Sequence, residues 1–484
     1  MDASPEQPVD PRDELIKQQA EHIQQLEEEN RKLKELLEKK AAAKAAKTPN
    51  FSMNRNPLGK NAKDKSKKSK KSKAKRGRKR NQSKLKRTTE QHDIYPDGVD
   101  PKACVVRRTQ FAWRIVDGKA IYVAYHIYGL PDAKDLPLPA GLRNSRSEFG
   151  IEIILILAFL HYWIGVSLDN ACQIMNFFTG LSLAKSQAES LLKQLARDWD
   201  QQYDTIAELI ALQMIVYIDE TGWKVGEKSC YTWVFSTTMH VLYRCGVSRK
   251  KEEATEVLGD NFAGIGVTDD YAAYKSMFSQ HQLCWAHLIR KAIKLALQHP
   301  DHQEYADFLD QLCAIYSDAK QLSAQRDDDK VEAMIEKLQE RIKELCTRHE
   351  ETIVKPKDAE SRTTATAKDV ETCILLQREL MNNLDCLFVF VEHPDVEPTN
   401  NRSERNVRRE AEIRKGARTS KTASGAKRRG TIVTVLASLH TRIENFTLSN
   451  LLAEVTSWFE KGCSIFEQEL KNTRPPPTPA SAIT

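Results

Sequence analysis

Between Ile16 and Lys40 the chain repeats with a period of seven: Ile16, Ile23, Asn30 and Leu37 form one register, and Gln19, Leu26, Leu33 and Lys40 the interleaved one. This a/d seam predicts a coiled coil, and a single Asn at an a position fixes register and favours a parallel dimer. Only about three heptads are present, so an exposed single amphipathic helix fits the same pattern. The period then stops. From Lys60 to Arg87, "KNAKDKSKKSKKSKAKRGRKRNQSKLKR" has almost no apolar positions and cannot build a core. Alternation resumes from Thr109 to Tyr128 as two β-rich runs around Asp117-Gly118, a hairpin turn. After a Pro-rich stretch to Leu142, the apolar run from Ile153 to Val166 predicts a buried helix. It contains His161 and falls short of the roughly 18 residues a membrane span needs. Two amphipathic helices then flank a short turn at Thr179-Gly180, a pattern open to a DNA-contacting helix-turn-helix or to plain bundle packing.

A β-rich block begins at Met214. "MIVYIDETGW" predicts a compact strand ending in Asp219-Glu220; "YTWVFSTT" and "HVLYRCG" supply the next two, close enough in sequence to be antiparallel. "SRKKEEATEVLG" reads as a helix, "FAGIGVTDD" as a fourth strand ending at Asp269, and "HQLCWAHLIRKAI" as a short strand running into a helix. Three antiparallel strands, a helix and a further strand is the order of an RNase H-like α/β fold, whose first and fourth strands are neighbours. Asp219 and Asp269 would then lie side by side. Residues 296–392 are helical by pattern, as in "KVEAMIEKLQERIKELC", and a solvated helical hairpin accounts for them as well as a DNA-covering insertion does.

Charge changes the picture locally. The chain of 484 residues carries a formal +7, yet Leu58 to Arg87 alone holds 16 Lys/Arg against one Asp, so the remainder is net acidic. A segment of that kind neutralises phosphates and releases counterions, which points to nucleic acid without sequence preference; a solvated linker is the plainer account. Ten cysteines occur with no CxxC pair, which fits a reducing, cytoplasmic setting better than a disulfide framework. The N-terminus "MDASPEQPVDPRDEL" is acidic and polar, unlike a signal peptide.

The candidate chemistry lies in carboxylates. Adjacent acids such as Asp269-Asp270 repel and are costly to desolvate, so they suggest a cation, a helix cap or a turn. Two carboxylates from neighbouring strand ends can hold Mg²⁺, and two-metal phosphoryl chemistry calls for a third. Glu404 offers it, on a helix starting near Asn400 or Asn401 and crowded by Arg402, Arg405, Arg408 and Arg409. Pairing of Glu404 with Arg408 four residues on is the alternative.

The blocks "DETGWKV…YTWVF", "LGDNFAGIGVTDDYAAY", "HQLCWAHLIRKA" and "NNRSERNVRREAEIRKGARTS…SGA" resemble, in order and content, those of the insertion-sequence-sixty-six family of transposases, over roughly Leu130 to Leu452. The resemblance implies a retroviral-integrase-like, RNase H-like catalytic core of the DDE type, with an all-α insertion, an N-terminal coiled coil and a helical DNA-binding region. It implies Asp219, Asp269 and Glu404 as catalytic acids and ligands of two Mg²⁺ (or Mn²⁺) ions, expected about 3.5 to 4 Å apart. Asp270 stands where the family commonly has glycine, so Asp269 is the expected ligand. The pair Cys284-x-x-His287 follows the second acid as it does in the family; two ligands are half a zinc site, and packing or hydrogen bonding beside the active site is the favoured role. Family members commonly carry a cysteine-rich zinc module before the core, whereas this chain has only Cys104 there, so no zinc ribbon is expected.

The expected organisation is a coiled coil at 12–40, a basic linker at 41–95, a β-hairpin region at 96–142 and a helix-turn-helix-like region at 143–205. The core follows at 206–295, the helical insertion at 296–395, the completion of the core with the Glu404 helix at 396–460, and a tail at 461–484. Expected DNA contacts are Arg402, Arg405, Arg408, Arg409, Arg414 and Lys415, with 427–429, and Lys67, Lys68, Lys70, Lys71, Arg76, Arg78, Lys79 and Arg80 from the basic run. The implied reaction hydrolyses element ends and joins their 3′-hydroxyls to target DNA, in a homodimer, with helper proteins possible and no membrane involved. A nuclease without strand transfer and a catalytically silent DNA-binding protein are the rival readings.

Overall fold

The computed structural model describes residues 82–274, 277–325, 329–349 and 367–473. The expected coiled coil and the basic side chains from Lys67 to Arg80 lie outside them. A small sheet comes first, in the order β1-β3-β2, from β1 (Glu90–Ile94), β2 (Val105–Val116) and β3 (Lys119–Gly129). Asp117 and Gly118 turn the β2-β3 hairpin with positive φ at both positions (48° and 74°), the I′ geometry that matches strand twist. The segment "EQHDI" of β1, polar except for Ile94, carries no apolar alternation, yet it pairs in parallel with β3.

The apolar run forms α1 (Ile151–Ala158), continuing as a π-helical turn at Phe159–Trp163. Buried Glu152 accepts hydrogen bonds from Arg114 Nε (2.8 Å) and the Ile115 N–H (3.1 Å), fastening α1 to the hairpin. Three amphipathic helices follow: α2 (Leu168–Thr179), closed by Gly180 in the left-handed conformation, α3 (Lys185–Asp198) and α4 (Asp200–Ala211). No helix among the described residues is long and apolar enough to cross a membrane.

The central sheet comprises β4 (Ile215–Val225), β5 (Lys228–Ser236), β6 (Val241–Val247), β7 (Ile265–Thr268) and β8 (Gln280–Leu283), with α5 (Glu252–Leu258) between β6 and β7. Its order is β6-β5-β4-β7-β8: β4 is antiparallel to β5 and β5 to β6, while β4, β7 and β8 are parallel. The strand expected to end at Asp219-Glu220 instead continues to Val225, because β5 pairs with it out to Val225↔Lys228. What ends near Asp219 is its parallel neighbour β7, whose last residue is Thr268.

Helices cover both faces, as side chains alternate along β4. Val216 and Ile218 point into one core with α1 to α5 and the C-terminal helices. Tyr217, with Ile265 and Val267 of β7, points into the other, built on α6 (Trp285–Gln298), α7 (Gln303–Ala324), α8 (Val331–His349), α9 (Ala367–Asn382) and α10 (Val389–Glu392). These helices are therefore not a solvated hairpin. Phe308, Leu312, Ile342 and Leu376 are buried among them, and the Trp285 indole N–H donates to the Leu387 carbonyl at 2.6 Å. The chain returns as α11 (Asn401–Lys415), α12 (Ala423–Arg442), α13 (Leu448–Lys461) and α14 (Ile465–Thr473), with α12 lying along β6.

Candidate active site

Strand register builds the site. β4 and β7 are matched Ile215↔Ile265, Val216↔Gly266 and Tyr217↔Val267, and β7 and β8 end at Thr268↔Leu283. Continuing both registers brings Asp219, within β4, level with Asp269 and Cys284, the residues just past the ends of β7 and β8, at the edge where open α/β sheets place their ligand sites. The row is held by the Cys284 N–H, which donates to the Thr268 carbonyl at 2.8 Å. Asn400, fully buried before α11, spans it: its Nδ2 donates to the Ile218 carbonyl (2.7 Å) and its backbone N–H to Cys284 Sγ (3.1 Å). One turn later Ser403 Oγ donates to the Val234 carbonyl of β5 (3.1 Å). Those contacts set Glu404 over the row.

The acids are poorly compensated. Asp219 accepts from the Glu220 N–H (2.8 Å), and among the described residues no Lys or Arg forms an ion pair with it or with Asp269. Burial, then the charges of Asp269 and Glu220, hold the Asp219 carboxyl well above the ordinary range, and Glu404 adds to the effect. Burial also raises Asp269, against a hydrogen bond from the Tyr271 N–H (3.1 Å) and the more distant charges of Arg249 and Lys291, which lower it. Asp269 thus makes a local turn rather than a helix cap. Asp270 faces elsewhere, accepting from Asn383 Nδ2 at 3.3 Å.

Glu404 does not pair with Arg408. Its Oε1 accepts from Arg290 Nη2 (2.7 Å) and lies 3.8 Å from Cys284 Sγ and 3.4 Å from His287 Nδ1. The ligand atoms of Cys284, His287 and Glu404 all fall within 4.8 Å of one another. Burial lowers His287 and raises Cys284 from their ordinary values.

A second network escaped sequence reasoning. Glu220, whose side chain is 2 % exposed, accepts from Arg249 Nη2 (2.6 Å) and from the Tyr274 hydroxyl. Arg249 stacks over the Tyr271 ring at 3.9 Å, and the Tyr271 hydroxyl returns to the Arg249 carbonyl at 2.9 Å. The tyrosines of "DDYAAY" thereby clamp the loop after β7 onto β4. Their pairing in the sequence is the available signal; their partners, distant in the chain, give none.

The basic residues divide. Arg405, Arg408 and Lys415 are exposed. Arg402 donates to Glu397 (2.6 Å), Arg409 stacks on Trp163 (3.4 Å to the centroid) and Arg414 donates to the Gly222 carbonyl (2.6 Å). Within 427–429, Arg429 cannot serve phosphates as expected: it is buried in a bidentate pair with Glu410, both contacts 2.7 Å. Separately, a polar groove of about 890 Å³ lies between residues 143–149 and α3, lined by Arg146, Gln187, Ser190 and Arg197 among others.

Residues 146–428 match the family model described as Transposase IS66 family. No curated protein matches the chain.

Proposed function

The chain belongs to the IS66 family of transposases, and from that premise we propose that it cleaves DNA at the ends of its element and joins the 3′ ends to target DNA. The observation that carries this reading is the row of Asp219, within β4, and Asp269, just past the end of neighbouring β7, with the Glu404 helix laid across it. The strand order β6-β5-β4-β7-β8 supports an RNase H-like, integrase-like core, and helices α6 to α10 an all-α insertion between the second and third acids.

The donor set suits Mg²⁺ or Mn²⁺: hard carboxylate oxygens, partly buried and mutually repelling, with Asp219 and Asp269 in no ion pair among the described residues and Glu404 held by Arg290. Asp219, Asp269 and Glu404 would hold the ions. Bound there, Mg²⁺ supplies Lewis acidity that activates the attacking oxygen and stabilises the leaving one. The protein's own groups position the reaction. Asn400 fixes the start of α11 against β4, and the Glu220-Arg249-Tyr274 clamp fixes the loop bearing Asp269. Exposed Arg405, Arg408 and Lys415 would take the phosphates of the reacting strands, and the polar face of α3 with residues 143–147 would bind an element end. In the first step water attacks a phosphodiester and frees a 3′-hydroxyl. In the second, that hydroxyl attacks a target phosphodiester and displaces the target's own 3′ oxygen. A homodimer bringing two ends together, aided by helper proteins at the bacterial nucleoid, is the setting proposed.

A strand-joining assay tests this reading, with purified protein, Mg²⁺ or Mn²⁺, a supercoiled target and labelled DNA from both flanks of the gene. Joined product from wild type and none from Glu404→Gln is expected. Nicking without joining would instead make the protein a nuclease, and equal products from both proteins would remove Glu404 from the site.

A further inference from the structure

Cys284, His287 and Glu404 bring three chemically different metal donors together, and the catalytic reading uses only one of them. Tetrahedral bonds of about 2.0 to 2.3 Å to zinc put neighbouring ligand atoms about 3.3 to 3.6 Å apart. Two of the three edges are close to this, 3.8 Å from Cys284 Sγ to Glu404 Oε1 and 3.4 Å from His287 Nδ1 to the same oxygen, and all three atoms lie within 4.8 Å of one another. His287 Nδ1 is buried without a hydrogen-bond partner, and so is Asn400 Oδ1, on the residue whose backbone N–H reaches Cys284 Sγ. Orphaned buried polar atoms of this kind mark the place of a water or an ion.

We propose that Cys284, His287 and Glu404 bind one divalent transition metal of the zinc class, with the fourth position left to water or a substrate oxygen. Thiolate and imidazole donors select against Mg²⁺, so softness separates this site from the carboxylate row beside it. The metal displaces the thiol proton to solvent as the metal-sulfur bond forms. Asn400 supports the ligand from behind through its N–H to sulfur. Without metal, the Arg290 guanidinium supplies the positive charge at Glu404 Oε1; its side chain is 52 % exposed and its Nε donates to the Ala286 carbonyl at 3.0 Å, so the Nη2 contact can open to solvent when a cation arrives while Nε stays anchored. Since Glu404 serves both centres, a metal bound here draws the third acid towards β8 and α6.

Co²⁺ titration of the full-length protein tests the site, because a cobalt-thiolate bond has its own near-ultraviolet charge-transfer band. Wild type is expected to develop the band at one equivalent and to lose it when Zn²⁺ is added. Cys284→Ser should abolish it, while Cys230→Ser, at a cysteine outside the cluster, should keep it. His287→Gln should weaken cobalt binding by more than about tenfold, the range in which even outer-shell losses fall. Arg290→Gln should tighten it about two- to fivefold by removing a competing cation. A merely structural pair of residues predicts no band and no response to Arg290. Asp219→Asn should leave the band intact, so loss of strand joining there and loss of metal here are separate results. No band in wild type, or a band that survives Cys284→Ser, overturns the proposal.

Discussion

Two acidic centres flank the same sheet and meet opposite treatment. Glu410 on α11 is fully buried and accepts from Nε and Nη2 of Arg429, each at 2.7 Å, with the guanidinium also 4.9 Å from the Trp223 ring centroid. Asp219 and Asp269 are partly buried, lie level on neighbouring strands, and have no cation paired with them among the described residues. The first arrangement balances its desolvation cost within the protein, joining α11 to α12. The second leaves a repulsion that the proposed cation would relieve. Compensation, rather than burial or charge alone, separates Glu410 from the Asp219-Asp269 pair.

The largest expected effect lies at the uncompensated row. Asp219→Asn and Asp269→Asn should each lower strand cleavage by about a thousandfold or more, the equivalent of several kcal/mol of lost transition-state stabilisation, with DNA affinity little changed. Single-turnover cleavage beside a binding titration checks both halves. At the compensated centre, Glu410→Gln should instead destabilise the fold by about 3–5 kcal/mol, because it strands Arg429 as a buried charge. Denaturant melts measure this, and a loss below about 1 kcal/mol would erase the contrast.

A smaller effect has the opposite sign. The folded state holds Asp219 protonated to higher pH than the unfolded chain does, so the metal-free native protein binds the extra proton. Stability then falls as pH rises from the ordinary carboxylate range through the raised value. Asp219→Asn, free of that penalty, should melt on the order of 2 °C or more above wild type at pH 7 in chelator, with a flatter pH profile. The smallest is Tyr274→Phe. It removes a donor to buried Glu220 and should cost about 1–3 kcal/mol of stability, together with a drop in cleavage greater than the drop in DNA binding.

Local pattern revealed a good deal of this. The Asp117-Gly118 turn, the individual strands of the central sheet and a helix bearing Glu404 all follow from features a few residues long. What stayed hidden depends on partners far apart in the chain. Arg429 reads as one of three exposed cations until packing sets it against Glu410, 19 residues earlier, and Tyr274 reaches Glu220 across 54 residues. The full length of β4 was masked because Asp219 and Glu220 look like a strand end, whereas backbone pairing with β5 carries the strand through them. Likewise Glu404 has an arginine four residues on in sequence, yet its partners are Cys284, between β8 and α6, and His287 and Arg290 of α6.

The measurement closest to the central claim is Mn²⁺ binding followed by electron paramagnetic resonance on wild-type, Asp219→Asn and Arg405→Gln proteins. The account predicts bound Mn²⁺ in wild type and Arg405→Gln, and binding weakened at least about tenfold in Asp219→Asn, where a direct ligand is gone. Equal binding by all three would mean that the row of acids is not where the cation sits.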